Sequence, residues 1–495
     1  MDYFVGENVF TLNSGTEFSQ FDRLKAFNHH QKGSAVLLTR NYNRMLAHDI
    51  EKHHLDPKQV INMYDFFQGA MNVERKEQSL RLLDSIPLTD YHIVGIDNNK
   101  SELTYNGKRI GLINVMPETI GLVGSIEYYD SLGQKAVTEY WDWRGFKSMV
   151  ETYHPDGSVA MQQYLHLDGT PALEVTHMHI GEKVRPTMWK LLDYKGRDRQ
   201  FRTENQLFTY FMDEIMVDQP GNIISDRRDL DEAVLNAKYG QKFAYVHSVP
   251  FKYWDKPTKG VLPAYEIAVN GVGDKKFAKV LVPTEQMASD VKNALADLPD
   301  IQVVDDSYVE KVAEPKELNQ EITLAYVGRL SEEKNIIDLV KAFKEIHQEL
   351  PNTKLQLQGY YSGKNYQEKV EKLIKTSKLT DQVEVVNYNA KQTVDQKADL
   401  FLNTSNSEGF GMNMLKSMGY GTPVISYGVP YVEGSLIRSG VNGDCVDNRT
   451  PKKLAHRVIK VLTNQSLYQK LSAGAIETAK KHDENNFIKS WQDFI

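Results

Sequence analysis

From Ile322 onward the chain alternates short apolar runs with stretches of helical spacing, and this pattern constrains the fold more than any other feature. Ile322–Val327 reads as an apolar strand broken by Gly328-Arg329-Leu330-Ser331. Residues 332–350 then carry Ile336, Ile337, Leu339, Val340, Phe343 and Ile346 at the spacing of one helix face. A strand at 355–357 ended by Gly359, a helix at 366–376, a strand at 383–387 and a polar helix around 391–397 continue the rhythm. Strand 399–402, the turn holding Glu408, helix Met412–Gly419, strand 423–427 and helices at Pro451–Leu462 and 466–482 complete it. Strands separated by helices of this length imply a parallel sheet covered on both faces, with ligands beyond the C-terminal strand ends. Gly328, Gly359 and Glu408 all fall at that edge.

The N-terminal part begins in the same way. Tyr3-Phe4-Val5 leads to Asn13-Ser14-Gly15-Thr16 and a helix-like 17–28, and Ala35-Val36-Leu37-Leu38 is a strand. The character returns at Phe243-Ala244-Tyr245-Val246 and Val280-Leu281-Val282. Residues 75–205 break it with strand-like runs separated by Leu132-Gly133, Asp156-Gly157 and Asp168-Gly169 at a roughly twelve-residue hairpin spacing. The expected fold is therefore α/β, two Rossmann-like domains with an antiparallel β-sheet inserted in the first. The segments are 1–74 and 206–315 for the N-terminal domain, 75–205 for the insert, 316–480 for the C-terminal domain, and 481–495 for a last helix returning to the first domain.

The 59 basic and 66 acidic residues give a formal charge of -7, which offers no support for bulk nucleic-acid binding. The single cysteine, Cys445, excludes an internal disulfide framework and a cysteine-rich metal site. No apolar run is long enough to span a bilayer. The expected location is cytoplasmic, with any membrane contact peripheral at the inner face.

Several residues at the strand edges could carry chemistry. Arg329 and Lys334 would offset charge on a diphosphate leaving group, or else form a solvated pair beside Glu332 and Glu333. Glu408 binds sugar or ribose hydroxyls, or stabilises positive character at a sugar carbon, or only caps the helix that follows. Gly15 permits close approach of a phosphate or sugar to the backbone. His247 either orients a donor-sugar hydroxyl or is a satisfied loop histidine. His154, His166, His177 and His179 lack the spacing of a compact metal site and read as structural or exposed.

Three motifs in order, Gly328-Arg329-Leu330-Ser331-Glu332-Glu333-Lys334, Glu408-Gly409-Phe410-Gly411 and Gly421-Thr422-Pro423-Val424-Ile425, resemble those of the family 4 retaining glycosyltransferases. That family has two Rossmann-like domains of the GT-B type. Asn13 to Gln20, Asn62-Met63-Tyr64-Asp65-Phe66-Phe67 and the inserted sheet narrow the resemblance. They are similar to the branch of bacterial wall-teichoic-acid α-glycosyltransferases and accessory-Sec glycosyltransferases of serine-rich adhesins.

The resemblance implies a nucleotide-sugar donor, UDP-glucose or UDP-N-acetylglucosamine, with no bound cofactor and no obligatory metal. It implies a teichoic-acid or serine-rich-protein acceptor, and a homo-oligomer or a complex with a related glycosyltransferase. The catalytic set it implies is Glu408, His247, Arg329 and Lys334. The donor-binding set is Ser14, Gly15, Gly328, Arg329, Lys334, Glu408, Gly409, Phe410, Gly411 and Lys416.

The chain departs from the family pattern at three places. Lys416 stands where the family has a second Glu that contacts the nucleotide ribose. Pro250, in His247-Ser248-Val249-Pro250, competes with His247 for the place of the catalytic-loop histidine. Pro430-Tyr431-Val432-Glu433-Gly434 lacks the small residues expected near phosphate. Three functions follow: a retaining UDP-sugar transferase, a catalytically inactive partner of an active homologue, or a sugar-polymer binder working through the insert's aromatic residues.

Overall fold

The computed structural model describes residues 1–253, 256–294, 300–387 and 393–492. It separates into two compact units, Met1–Asn13 with Gly33–Gln241, and Ser14–Lys32 with Lys242–Ile495. Among the described residues no helix is long and apolar enough to cross a membrane.

The first unit holds four parallel strands in the order Asn222–Ser225, Asp2–Gly6, Ala35–Thr39 and Val60–Asn62. Its larger part is a ten-stranded antiparallel meander running from His92–Gly95 to Arg199–Phe201. The meander follows from a repeated turn. Gly121, Gly133, Gly145, Gly157, Gly169 and Gly181 recur every twelve residues, all with positive φ, a conformation that side chains disfavour. Four of these turns close with matching bonds, in which the N–H groups of Gly133, Gly145, Gly157 and Gly169 donate to the carbonyls of Asp130, Asp142, His154 and His166.

Arg144 ties one turn to the rest of this unit. Its buried guanidinium donates to Asp142 at 2.7 Å, Asp65 at 2.9 Å and the Ala70 carbonyl at 2.7 Å. The aromatic residues divide between core and surface. Tyr64 and Tyr164 pack at 4.5 Å in the interior, whereas Tyr105 is exposed.

The second unit contains three parallel strands, Lys242–Tyr245, Lys279–Val282 and Asp300–Val303. It also contains a six-stranded parallel sheet ordered Val383–Val386, Thr353–Gln358, Ile322–Val327, Leu400–Asn403, Val424–Tyr427 and Gly443–Val446. Helices Ile336–Glu349, Pro451–Leu462 and Gln465–Lys481 bury the faces of this sheet through Leu339, Phe343, Val458 and Leu471. The central strands are mostly apolar and buried, as in Leu400-Phe401-Leu402 and Val424-Ile425, whereas strand Thr353–Gln358 alternates with Lys354 and Gln356.

Two elements differ from expectation. The helix expected over 332–350 begins only at Ile336. Asn335 is left-handed, and the Thr404 hydroxyl donates to the carbonyls of Lys334 and Asn335, so tertiary bonds hold residues 331–335 as a turn. Of the polar helix expected around 391–397, a single 3-10 turn at Val394–Gln396 is seen, and 391–392 lie outside the described residues.

The last helix, Glu484–Gln492, packs on helix Gly15–His30, with Trp491 edge-on to Phe27 and Glu484 bonded to His29 at 2.8 Å. Residues 493–495 of the expected C-terminal helix lie outside the described residues.

Candidate active site

Every sequence-predicted site residue lies in the second unit. Strand Ile322–Val327 ends at Gly328, whose φ of 150° disfavours a side chain and where a Cβ would come within 2.9 Å of the Tyr326 hydroxyl. The turn after it is pinned on both sides. Leu330 donates to the Tyr360 carbonyl, and the Asn406 N–H donates to the Glu333 carbonyl at 2.9 Å. This framing brings Lys334 Nζ to 2.8 Å from Glu408 Oε1, and both side chains are largely shielded from solvent. Arg329 is more exposed and lies 3.4 Å from Glu333. The cation pair expected from spacing is therefore divided: Lys334 meets Glu408, and Arg329 stays at the rim.

Glu408 precedes helix Met412–Gly419, entered through Gly411 at φ 94°. A second helix, Gly15–His30, points its start at the same place, since a Cβ on Gly15 would lie 4.0 Å from Met412 Sδ. Ser14 caps it in a reciprocal box with Glu17, whose carboxylate accepts from the Ser14 N–H at 2.9 Å and its hydroxyl at 2.7 Å. The starts of two helices, each the positive end of a helix dipole, thus meet at Gly15 and Met412, in the same unit as the Lys334–Glu408 pair. Such an arrangement favours an anion.

His247 closes the third side. Its carbonyl lies against Gly409, where a Cβ would overlap the oxygen and come within 2.9 Å of the carbonyl carbon. Its Nδ1 is 2.7 Å from Asp306 Oδ1, and both side chains are buried. Pro250, by contrast, takes part through its backbone, accepting from Leu262 N–H at 2.7 Å.

Phe410 and Lys416 of the expected donor-binding set, and Tyr431 of the loop that departs from the family pattern, make contacts within the protein. Phe410 is buried in the core, edge-on to His482. Tyr431, from the loop without small residues, is buried with its hydroxyl donating to Asp290 at 2.9 Å. Lys416 places Nζ 2.9 Å from Asp22 Oδ2, on helix Gly15–His30. Burial opposes the Lys416 charge, yet the Asp22 carboxylate holds its pKa above the ordinary lysine value.

Sequence reasoning missed Asn413, whose amide donates to the Val327 carbonyl at 2.8 Å and sits beside Gly328. It also missed Tyr326, buried between Glu408 and Arg329 with its phenol held protonated by burial, then by Glu408. Neither residue carries a local signal. Cys445 is buried and its thiol is pushed up to about 12 by burial, then by Glu433. Among the described residues no group of three or more His, Cys, Asp or Glu could hold a metal ion.

Residues 309–481 match the family described as glycosyl transferases group 1. That match spans about a third of the chain, whose fold is of the GT-B type with a ten-stranded antiparallel sheet in its N-terminal region.

The chain is similar to the poly(glycerol-phosphate) alpha-glucosyltransferase of Bacillus subtilis (strain 168), 27% identical over 296 residues. That alignment covers 59% of this chain and 43% of the relative. It is also similar to the GtfA subunit of the UDP-N-acetylglucosamine–peptide N-acetylglucosaminyltransferase of Limosilactobacillus reuteri subsp. suis. Here identity is 22% over 325 residues, covering 61% of this chain and 60% of the relative. The chain thus spans about half the length of these curated relatives. The crystal structure of the pneumococcal O-GlcNAc transferase GtfA in complex with UDP and GlcNAc superposes with a TM-score of 0.84 at 18% identity. It covers 99% of this chain and 97% of that one.

Proposed function

We propose that the chain is a retaining glycosyltransferase that moves a hexose, glucose or N-acetylglucosamine, from a UDP-sugar to a cell-surface polymer, wall teichoic acid first. The observation that carries this is the convergence of the Lys334–Glu408 pair, two helix N-termini and His247. The poly(glycerol-phosphate) relative supports the teichoic-acid acceptor. The GtfA relative keeps a serine-rich protein as the competing acceptor.

In this reading the diphosphate lies over the N–H groups of the two helix starts, with Lys334 and Arg329 offsetting its charge. Gly15 and Gly409 let backbone approach the ligand. The bond from the sugar's anomeric carbon to the β-phosphate oxygen breaks, and a bond to the acceptor hydroxyl oxygen forms on the same face. The acceptor proton passes to the departing phosphate oxygen, and UDP leaves. Glu408 faces the positive character that develops at the anomeric carbon, and His247 orients a sugar hydroxyl.

The test is incubation of the purified full chain with radiolabelled UDP-glucose and UDP-N-acetylglucosamine against poly(glycerol phosphate), poly(ribitol phosphate) and an unfolded Ser-rich peptide. Label should enter one of the phosphate polymers, and Glu408→Gln should lower turnover by about 10²-fold or more while the protein still folds. Label in the peptide alone would transfer the acceptor assignment to serine-rich proteins. No label in any acceptor would sink the enzymatic reading. One observation favours a second reading. With Lys416 in place of a carboxylate and already paired to Asp22, the chain could serve as the inactive member of a complex with an active homologue.

A further inference from the structure

Asp306 lies three residues past strand Asp300–Val303, in the segment leading toward the six-stranded sheet. It is buried, and one of its oxygens, Oδ1, accepts two hydrogen bonds: from the Ser19 hydroxyl at 2.7 Å and from His247 Nδ1 at 2.7 Å. Ser19 sits in helix Gly15–His30, whose first residues face Met412. His247 follows strand Lys242–Tyr245 and lies with its carbonyl against Gly409, next to Glu408. A single carboxylate therefore holds two separate walls of the candidate site.

The chemistry of that contact is specific. A carboxylate oxygen already accepting from a hydroxyl meets a ring nitrogen at 2.7 Å only as a second acceptor, so Nδ1 carries the proton. In the neutral ring Nε2 is then the nitrogen that accepts. The surroundings reinforce the placement. The Tyr245 ring lies 4.1 Å from the imidazole and its phenol is held protonated by burial, then by Asp306. Arg23 stands over the Tyr245 ring at 5.6 Å, and Asp305 contributes a second nearby carboxylate.

We propose that Asp306 is a positioning residue of the transfer reaction, fixing His247 in its Nδ1–H tautomer and registering that ring against the start of helix Gly15–His30 through Ser19. This rests on His247 acting on the donor sugar as set out above. A ring locked this way offers Nε2 to a sugar hydroxyl as an acceptor. The intrinsic preference of free imidazole for the Nε2–H form would offer a donor instead.

The experiment compares Asp306→Ala, Asp306→Asn and Ser19→Ala with wild type in the full chain. The imidazole tautomer is read from ¹⁵N shifts of labelled histidine, with His247→Gln assigning the signal. Transfer from UDP-glucose and UDP-N-acetylglucosamine to poly(glycerol phosphate) is measured in parallel. Asp306→Ala should move His247 toward Nε2–H and lower kcat about 10²-fold with little change in donor KM. Asp306→Asn keeps an oxygen in place and should retain the Nδ1–H signal and most of the activity. Ser19→Ala should keep the tautomer and raise donor KM. An unchanged His247 signal in Asp306→Ala, or wild-type kcat in that variant, overturns the proposal. Should Asp306→Ala unfold, the Asp306→Asn and Ser19→Ala pair decides alone, and an Nε2–H signal in Asp306→Asn overturns it. If the wild type transfers neither sugar, the functional reading fails while the tautomer measurement still decides the role of Asp306.

Discussion

Replacing Gly409 by Ala tests the arrangement most directly, because the cost is geometric. Gly409 does not need left-handed backbone, so the substitution brings no φ penalty. The added Cβ would overlap the His247 carbonyl oxygen, come within 2.9 Å of its carbon and stand 3.2 Å from Ser248 Cα. These neighbours are backbone, not a flexible side-chain tip, so relief requires residues 247–248 to move on the order of 1 Å. Overpacking of this kind costs about 1–3 kcal/mol, and a 1 Å misplacement of a reacting group costs about 10²-fold in rate. Gly15→Ala is the matched control. Its Cβ meets only Met412 Sδ at 4.0 Å, and alanine at a helix start does not destabilise. Thermal melting with donor-saturation kinetics separates the two. Gly409→Ala should melt lower and lose kcat, whereas Gly15→Ala should melt as wild type or higher and raise donor KM. A Gly409→Ala protein with wild-type melting and kcat would refute the claim that the His247 and Glu408 loops touch in the folded protein.

Three further outcomes follow from contacts elsewhere. Arg144→Met leaves Asp142 and Asp65 without their shared cation and should cost about 3–5 kcal/mol, seen as early proteolysis of the inserted sheet. Lys416→Ala removes a half-exposed pair with Asp22 and should cost roughly 1 kcal/mol without changing donor KM. A tenfold rise in KM at unchanged melting would instead make Lys416 a ligand group. Burial raises the Asp231 carboxyl from 3.8 to about 6, although Arg228 and Ser225 pull it down. The folded chain then holds a proton that the unfolded chain releases, so this contribution is complete below about pH 3.8 and lost as pH rises through 6. The melting-temperature difference between Asp231→Asn and wild type should therefore move in favour of the variant from about pH 4 to pH 6.5. A difference independent of pH would show that Asp231 does not titrate there.

The parallel strands were legible because both faces are buried, which leaves uninterrupted apolar runs such as Leu400-Phe401-Leu402. The meander was legible because its central turns, from Gly121 to Gly181, spend a glycine every twelve residues. The delayed start of helix Ile336–Glu349 was not legible. Ser331-Glu332-Glu333-Lys334 has good intrinsic helix propensity, and bonds from Thr404 and Asn406, some seventy residues away, help hold it as a turn. The same limit hid Asp306, which has no motif around it, and Asn413, whose role depends on the carbonyl of Val327. Glu408 and Lys334 stood out singly. Their 2.8 Å contact is a property of the sheet edge.

Lys416 shows how a local reading of charge can mislead. Taken along the chain, a lysine in place of a carboxylate is a reversal of sign on the helix after Glu408. In space the carboxylate is supplied by Asp22, on a different helix and also accepting from the Ser307 hydroxyl at 2.6 Å. Lys416 lies in the last turn of helix Met412–Gly419, where the dipole favours a cation, so the substitution suits its own helix. The pair joins the two helices whose starts face one another at Gly15 and Met412. Under the proposed function, a lysine so placed would align the two helix starts and leave recognition of the nucleotide to other groups. Whether the chain catalyses transfer then turns on Glu408, Lys334 and His247, because the altered position takes part in none of their contacts described above.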